Sequence, residues 1–171
     1  LLESTSLDLG APGKDNSYGE GRVNALTAVT AAVANGNFCA AKENSCGGVP
    51  VMGQSGQPSA TNPSGFEVTV SNMVGNSTTL MIYTDQGADN TPLRGGALSV
   101  SNLGRSIPIT AVGTNGLCDG VATIDMNGFR SGSLGGIPAG FLSVPGTTIN
   151  CQFWGRDVAN TFGALLSGGL E

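Results

Sequence analysis

Two periodicities run along this chain, and they part near residue 36. In the first stretch Leu7 and Leu9 alternate around Asp8, as in a short extended piece, and Gly10 to Gly21 is rich in turn residues. From Arg22 the apolar positions Val23, Leu26, Val29 and Val33 recur at the spacing of one helical face. Asn35-Gly36 suits the left-handed residue that ends a helix, so this pattern predicts one helix of about three to four turns. From Asn37 the texture changes to runs rich in Val, Ile, Thr and Phe, separated by clusters of Gly, Pro, Asn and Ser. Strands are predicted over 65–72, 78–84, 97–101, 107–112, 120–126, 140–144, 147–153 and 163–170. Short strands at this even spacing predict an all-β fold, a two-sheet β-sandwich or jelly roll, with an N-terminal extended segment and one helix. Residues 1–36 form a terminal segment and residues 37–171 the sandwich.

Alternation also assigns faces. Phe66, Val68 and Val70 point opposite to Glu67, Thr69 and Ser71, so this strand has one wet face. Leu80 and Ile82 oppose Met81 and Tyr83, and there both faces are apolar enough that neither is marked as wet.

Composition narrows the partners. Charged residues make up 11% of the chain, Gly accounts for 28 of 171 residues, and the formal net charge is −5. The seven Lys plus Arg are scattered singly, which leaves nothing to neutralise a run of phosphates and excludes nucleic acid as the expected partner. No apolar run approaches the roughly 18 residues that cross a bilayer, so no membrane insertion is expected. The chain opens on Leu1 without an initiator Met or a signal peptide, and is expected to be processed or excised from something longer. Cys39, Cys46, Cys118 and Cys151 contain no C-x-x-C pair, and there is no histidine to complete a metal site. Disulfides are therefore expected, which implies a secreted or cell-surface setting, with three connectivities open.

The run Asp8, Leu9, Gly10, Pro12, Gly13, Asp15, Asn16, Tyr18, Gly19, Gly21, Arg22, Val23, Asn24 and Ala25 resembles the closing segment of a subtilisin-type serine peptidase domain. In that family a D-L-G-x-P-G-x-D-N-x-Y-G-x-G-R-V-(N/D)-A run leads into the last helix of the α/β fold. The triad of that family needs a histidine to relay the proton, and this chain has none. The serine-bearing G-T-S-M motif that precedes the segment in the family is missing too. The expectation is a chain with no catalytic residues, no peptidase activity and no cofactor.

A second resemblance spans residues 37–171. Phe38-Cys39, the central Leu117-Cys118-Asp119-Gly120 and the late Gln152-Phe153-Trp154-Gly155-Arg156-Asp157 are similar to a β domain attached to secreted proteins of planctomycete-type bacteria. Gly155 stands where that domain usually has an aromatic residue. The resemblance implies Cys39 bonded to Cys118, since those two cysteines usually occur in it without the others, and leaves Cys46 with Cys151. The rival pattern is a local Cys39 to Cys46 bridge with Cys118 to Cys151.

Several side chains invite a site. Trp154 with Arg156 and Asp157 is an aromatic beside a charged pair, as a sugar platform needs. The plainer reading is a ring plugging the core, with Arg156 paired to Asp157 or to a backbone carbonyl at a strand end. Asp85, Asp89 and Asn90 supply oxygens on a glycine-containing loop, a weak calcium pattern without the D-x-D-x-D-G spacing; a solvated turn explains them as well. Asp119 and Asp125 are weaker still as metal ligands. Asn76-Ser77-Thr78 is an N-glycosylation sequon between two predicted strands. Glu20, Glu43, Glu67 and Glu171 have no spaced partner that argues for an acid/base dyad.

These readings combine into a non-catalytic, extracellular C-terminal module of a secreted subtilisin-like peptidase, serving structure or attachment. A self-assembling subunit of an extracellular filament or surface layer is the alternative, and a carbohydrate-binding module, with polysaccharide as partner, a second. Leu1, Leu2, Leu7, Leu9, Val23, Leu26, Val29 and Val33 would pack on an α/β core in the family but lack that core here. Each is worth roughly 1.5–3 kcal/mol when buried, so these residues are the candidate contact with a protein partner, whether another copy or the upstream peptidase.

Overall fold

The computed structural model describes residues 7, 8, 22, 24, 37–101 and 104–171. The chain divides into two compact units, Leu1–Gly36 and Asn37–Glu171. In the first, Leu7 and Arg22 form an antiparallel bridge, with N–H to C=O bonds of 2.8 and 2.9 Å in the two directions. The contact candidates Leu1, Leu2, Leu9, Val23, Leu26, Val29 and Val33, Glu20, the expected helix and most of the subtilisin-like run lie outside the described residues.

The second unit is all-β. Its strands are β1 (Asn37–Phe38), β2 (Val51–Gly56), β3 (Phe66–Met73), β4 (Thr78–Thr84), β5 (Ala88–Leu93), β6 (Gly96–Val100), β7 (Gly104–Arg105), β8 (Ile109–Thr110), β9 (Gly120–Asp125), β10 (Asn150–Arg156) and β11 (Ala164–Leu170). A six-stranded antiparallel sheet runs β1-β11-β10-β4, with β7 and β8 both pairing with β4; a second sheet runs β2-β3-β9, and β5-β6 is a separate hairpin. The two larger sheets face each other across one core. Val68 and Val70 of β3 and Ala122 and Ile124 of β9 meet Met81 and Tyr83 of β4, Phe153 of β10 and Leu165 of β11. This is a β-sandwich, as the alternation predicts. Glu67 and Thr69 stand on the outer side of β3, and Thr69 Oγ1 lies 3.0 Å from Thr123 Oγ1 across the strand pair.

Alternation breaks once in β3, where pairing to β9 shifts between Val70 and Met73 and Asn72 takes a φ of +56°. The bulge turns Met73 inward and carries the chain toward β4. At the other sheet edge the Phe38 ring covers Gly169, where a Cβ would collide with it.

The hairpin β5-β6 lies over the outer face of the large sheet. Gln152, fully buried, holds it there: its Oε1 accepts from Ser99 N–H at 3.0 Å, and its Nε2 donates to Ala97 O at 2.9 Å and Ser167 O at 2.6 Å. This third layer explains why Ile82 and Thr84, on the face of β4 away from the core, are buried as well.

Three expected elements differ. The apolar run at 140–144 forms a 3-10 helix, Gly140–Ser143, rather than a strand. No neighbouring strand pairs with it, and Phe141 instead packs edge-on against Tyr83 at 5.7 Å. The strand at 107–112 shortens to Ile109–Thr110, where Pro108 removes a ladder donor. The strand expected from 147 begins only at Asn150. A short helix, α1 (Met126–Arg130), follows β9, capped by Asp125, whose side chain accepts from Gly128 N–H.

The cysteine pairing is also corrected. Cys46 bonds to Cys118, while Cys39 and Cys151 are free thiols. Neither expected connectivity forms, because both give Cys46 and Cys118 other partners; the strands also keep the two leftover thiols apart. Cys151 sits on β10 and Cys39 follows β1, on opposite sides of β11. Two strand spacings, about 9–10 Å, exceed the roughly 7 Å limit for a disulfide. Gly48 makes room for the bond that does form, since a Cβ there would collide with Cys118.

Candidate functional site

The unit has a cleft of about 500 Å³ where three segments meet: residues 40–43 after β1, the β5-β6 turn and the β10-β11 loop. Its central group is Lys42. The backbone N–H of Lys42 donates to Leu166 O at 2.9 Å, which fixes it beside β11. Its Nζ donates to Ala164 O and to Asn160 Oδ1, both at 2.7 Å, and lies 5.0 Å from the centre of the Phe162 ring. Only 9% of the residue is exposed. Burial pulls the Lys42 pKa below the ordinary lysine value; the Asp157 charge opposes this and the Arg94 charge adds to it.

The loop that carries Asn160 is tightly wound. Asp157 N–H donates to Gly163 O, Asn160 N–H to Asp157 O and Gly163 N–H to Asn160 O. The Asn160 carboxamide oxygen accepts a second bond from Phe162 N–H at 3.1 Å, and its Nδ2 donates to Glu43 O at 3.4 Å. Asp157 is buried, and its two oxygens accept from Ser45 N–H at 2.7 Å and Ser45 Oγ at 2.6 Å. The cleft thus holds a desolvated amine against a polarised amide, with a buried carboxylate one turn away.

The residues singled out in the sequence do not assemble into a site. Phe153 fills the core, whereas Trp154 points to the other face, is partly buried, and has a buried Nε1 with no hydrogen-bond partner in the protein. Arg156 is exposed, and Asp157 turns to Ser45 rather than to Arg156. Asp157 therefore does not pair with Arg156 beside Trp154. Asp85 accepts from Gln86 Nε2 on one oxygen, and Asp89 from Asn90 N–H and Thr91 Oγ1, so both side chains bond within their own turns. Among the described residues no group of three or more His, Cys, Asp or Glu converges as a metal site would require.

Asn76 is exposed in the β3-β4 turn at a φ of +59°. Asp119 is held below the usual carboxylate range by the hydroxyl and N–H of Thr114. At Asp125 burial pushes upward, but bonds from the N–H groups of Gly128, Gly65, Phe66 and Asn127 outweigh it and depress the pKa. Glu67 is solvated, Glu43 is exposed at the cleft rim, and Glu171 accepts from Asn150 Nδ2.

No protein-family model, curated protein or solved structure matches the chain. Lys42 and Asn160 escaped sequence reasoning because a single lysine in Ala-Ala-Lys-Glu-Asn carries no motif. Lys14 is the one other lysine, and that scarcity was the available signal.

Proposed function

We propose that this chain is the non-catalytic C-terminal part of a secreted subtilisin-like serine peptidase, in which residues 37–171 form an extracellular module for structure or attachment. The observation that supports it best is the place where the sandwich is entered. Asn37 pairs with Leu170, so the chain enters and β11 ends at the same end of one sheet. A sandwich entered at a sheet edge in this way can be joined to an upstream neighbour through that edge. The disulfide suits an oxidising setting, and among the described residues no helix is long and apolar enough to cross a membrane. The subtilisin-like run in residues 8–25 names the expected neighbour.

The peptidase side of the reading is tested with casein or a fluorogenic peptide, on which the chain is expected to show only background hydrolysis. Robust cleavage blocked by a serine-directed inhibitor would falsify it. Self-assembly through residues 1–36 is the second reading, favoured by Leu7, which is 47% exposed while its backbone is held in an extended pair with Arg22. Light scattering of the intact chain against residues 37–171 separates the two: larger particles with the intact chain alone mean assembly, and two monomers mean an attached module.

A further inference from the structure

We propose that Lys42 and Asn160 join in an intramolecular isopeptide bond, lysine Nζ to asparagine Cγ. Lys42 Nζ is 2.7 Å from Asn160 Oδ1. Given the length of a carbonyl bond, that places it no more than about 4 Å from Cγ, close to the roughly 3–3.5 Å of a near-attack geometry.

The surroundings suit amide transfer better than a resting ion pair. Buried lysines normally find a carboxylate, yet among the described residues Lys42 Nζ bonds only to neutral amide oxygens and faces a phenyl ring. Desolvation favours its neutral, nucleophilic form. Phe162 N–H already bonds Asn160 Oδ1, where negative charge would collect in the tetrahedral intermediate. Asp157 opens the same loop but gives both oxygens to Ser45, so its charge acts on Lys42 only at a distance.

In the reaction the Lys42 ammonium first gives a proton to water. The free amine attacks Asn160 Cγ, the Nζ–Cγ bond forms, and the carbonyl electrons move onto Oδ1. A second proton passes from Nζ to Nδ2, the Cγ–Nδ2 bond breaks as the carbonyl reforms, and ammonia leaves, taking up a proton from water as ammonium. One ammonium and one primary amide become one secondary amide and one ammonium ion, with no oxidant and no net change of charge. The bond would tie the stretch after β1 to the β10-β11 loop, and it stands whether or not the chain belongs to a peptidase.

The test is the mass of the intact, folded chain after reduction and alkylation. It is expected to be lighter than the sequence by one ammonia. Trypsin is expected to release residues 23–94 covalently linked to residues 157–171, since cleavage after Lys42 is lost. Lys42→Arg and Asn160→Ala should restore the full mass. Far-ultraviolet circular dichroism should show both variants folded. The full sequence mass in the folded wild type overturns the proposal. So does an ammonia loss that survives in Lys42→Arg, which would be succinimide at an Asn-Gly pair.

Discussion

On the inner face of the six-stranded sheet, Met81, Tyr83, Phe153 and Leu165 are sealed by other hydrocarbon side chains. On the outer face Gln152 is sealed as completely, but beneath the β5-β6 hairpin and by three hydrogen bonds. Ile82, Leu166 and Val100 share this outer layer with Thr84 and Ser99. The inner face draws on non-directional transfer from water, so it tolerates repacking as long as volume is kept. The outer layer depends on directed pairs, each of which leaves two orphaned groups when broken. Ser99 Oγ and Trp154 Nε1 are already buried there without a partner in the protein. The cleft opens at the edge of this outer layer, where an amine and an amide are held in a geometry that hydrocarbon packing alone would not fix.

Replacing Phe153 by Ala should cost the most. The ring is fully buried at the centre of the inner core, and such truncations typically lose about 3–5 kcal/mol. Urea denaturation of the whole unit measures it; a loss below about 1 kcal/mol would mean that the inner face is not what holds the sandwich. Removing the Cys46–Cys118 bond, which spans 72 residues, should lower stability by about 4 kcal/mol in the chain-entropy account. Denaturation of the double Cys→Ser variant reads the effect directly.

Gln152→Ala tests the outer layer by itself. The expected loss is roughly 1–3 kcal/mol, with faster amide exchange confined to β5 and β6 while β3 and β9 stay protected. Uniform acceleration across both sheets would show that the hairpin is not a separate layer.

Asp125→Ala removes the cap of α1 and the anchor of the 65–66 backbone, at about 1 kcal/mol. Because the folded pKa of Asp125 lies below its unfolded value, its contribution is complete above the ordinary carboxylate range. It is lost as pH falls through the depressed folded value. Wild type and variant should therefore converge in stability at the acid end, and a gap that widens toward low pH would reverse the sign.

The smallest effect concerns the free thiols. Burial pushes Cys151 up to about 12, so at neutral pH it should resist alkylation until the protein unfolds. Cys39 is only partly buried and its Sγ donates to Asp89 O, so it should label first. Equal labelling of both in the folded chain would mean that the inner core around Cys151 opens readily.

Much of the inner face was legible because β alternation is local. Phe66 to Ser71 shows its faces from side chains two apart, and the predicted span 78–84 coincides with β4 (Thr78–Thr84). The strands β2 (Val-Met-Gly-Gln-Ser-Gly) and β5 (Ala-Asp-Asn-Thr-Pro-Leu) read as loops, since their residues are turn formers that become strands only when a neighbour supplies the ladder. The 3-10 turn at 140–143 looked like a strand because a short apolar run has no period to separate the two.

The sequence by itself determined the class of fold, the solvated face of β3 and the lack of an imidazole for a serine triad, because composition and period-two patterning need no knowledge of distant contacts. Only the tertiary structure decided which cysteines meet, which polar side chains sit under the hairpin, and that Lys42 faces Asn160 across 118 positions of sequence. Those outcomes depend on which strands lie side by side. Strand order is set by the summed packing of the two sheets, a quantity that no local stretch of the chain contains.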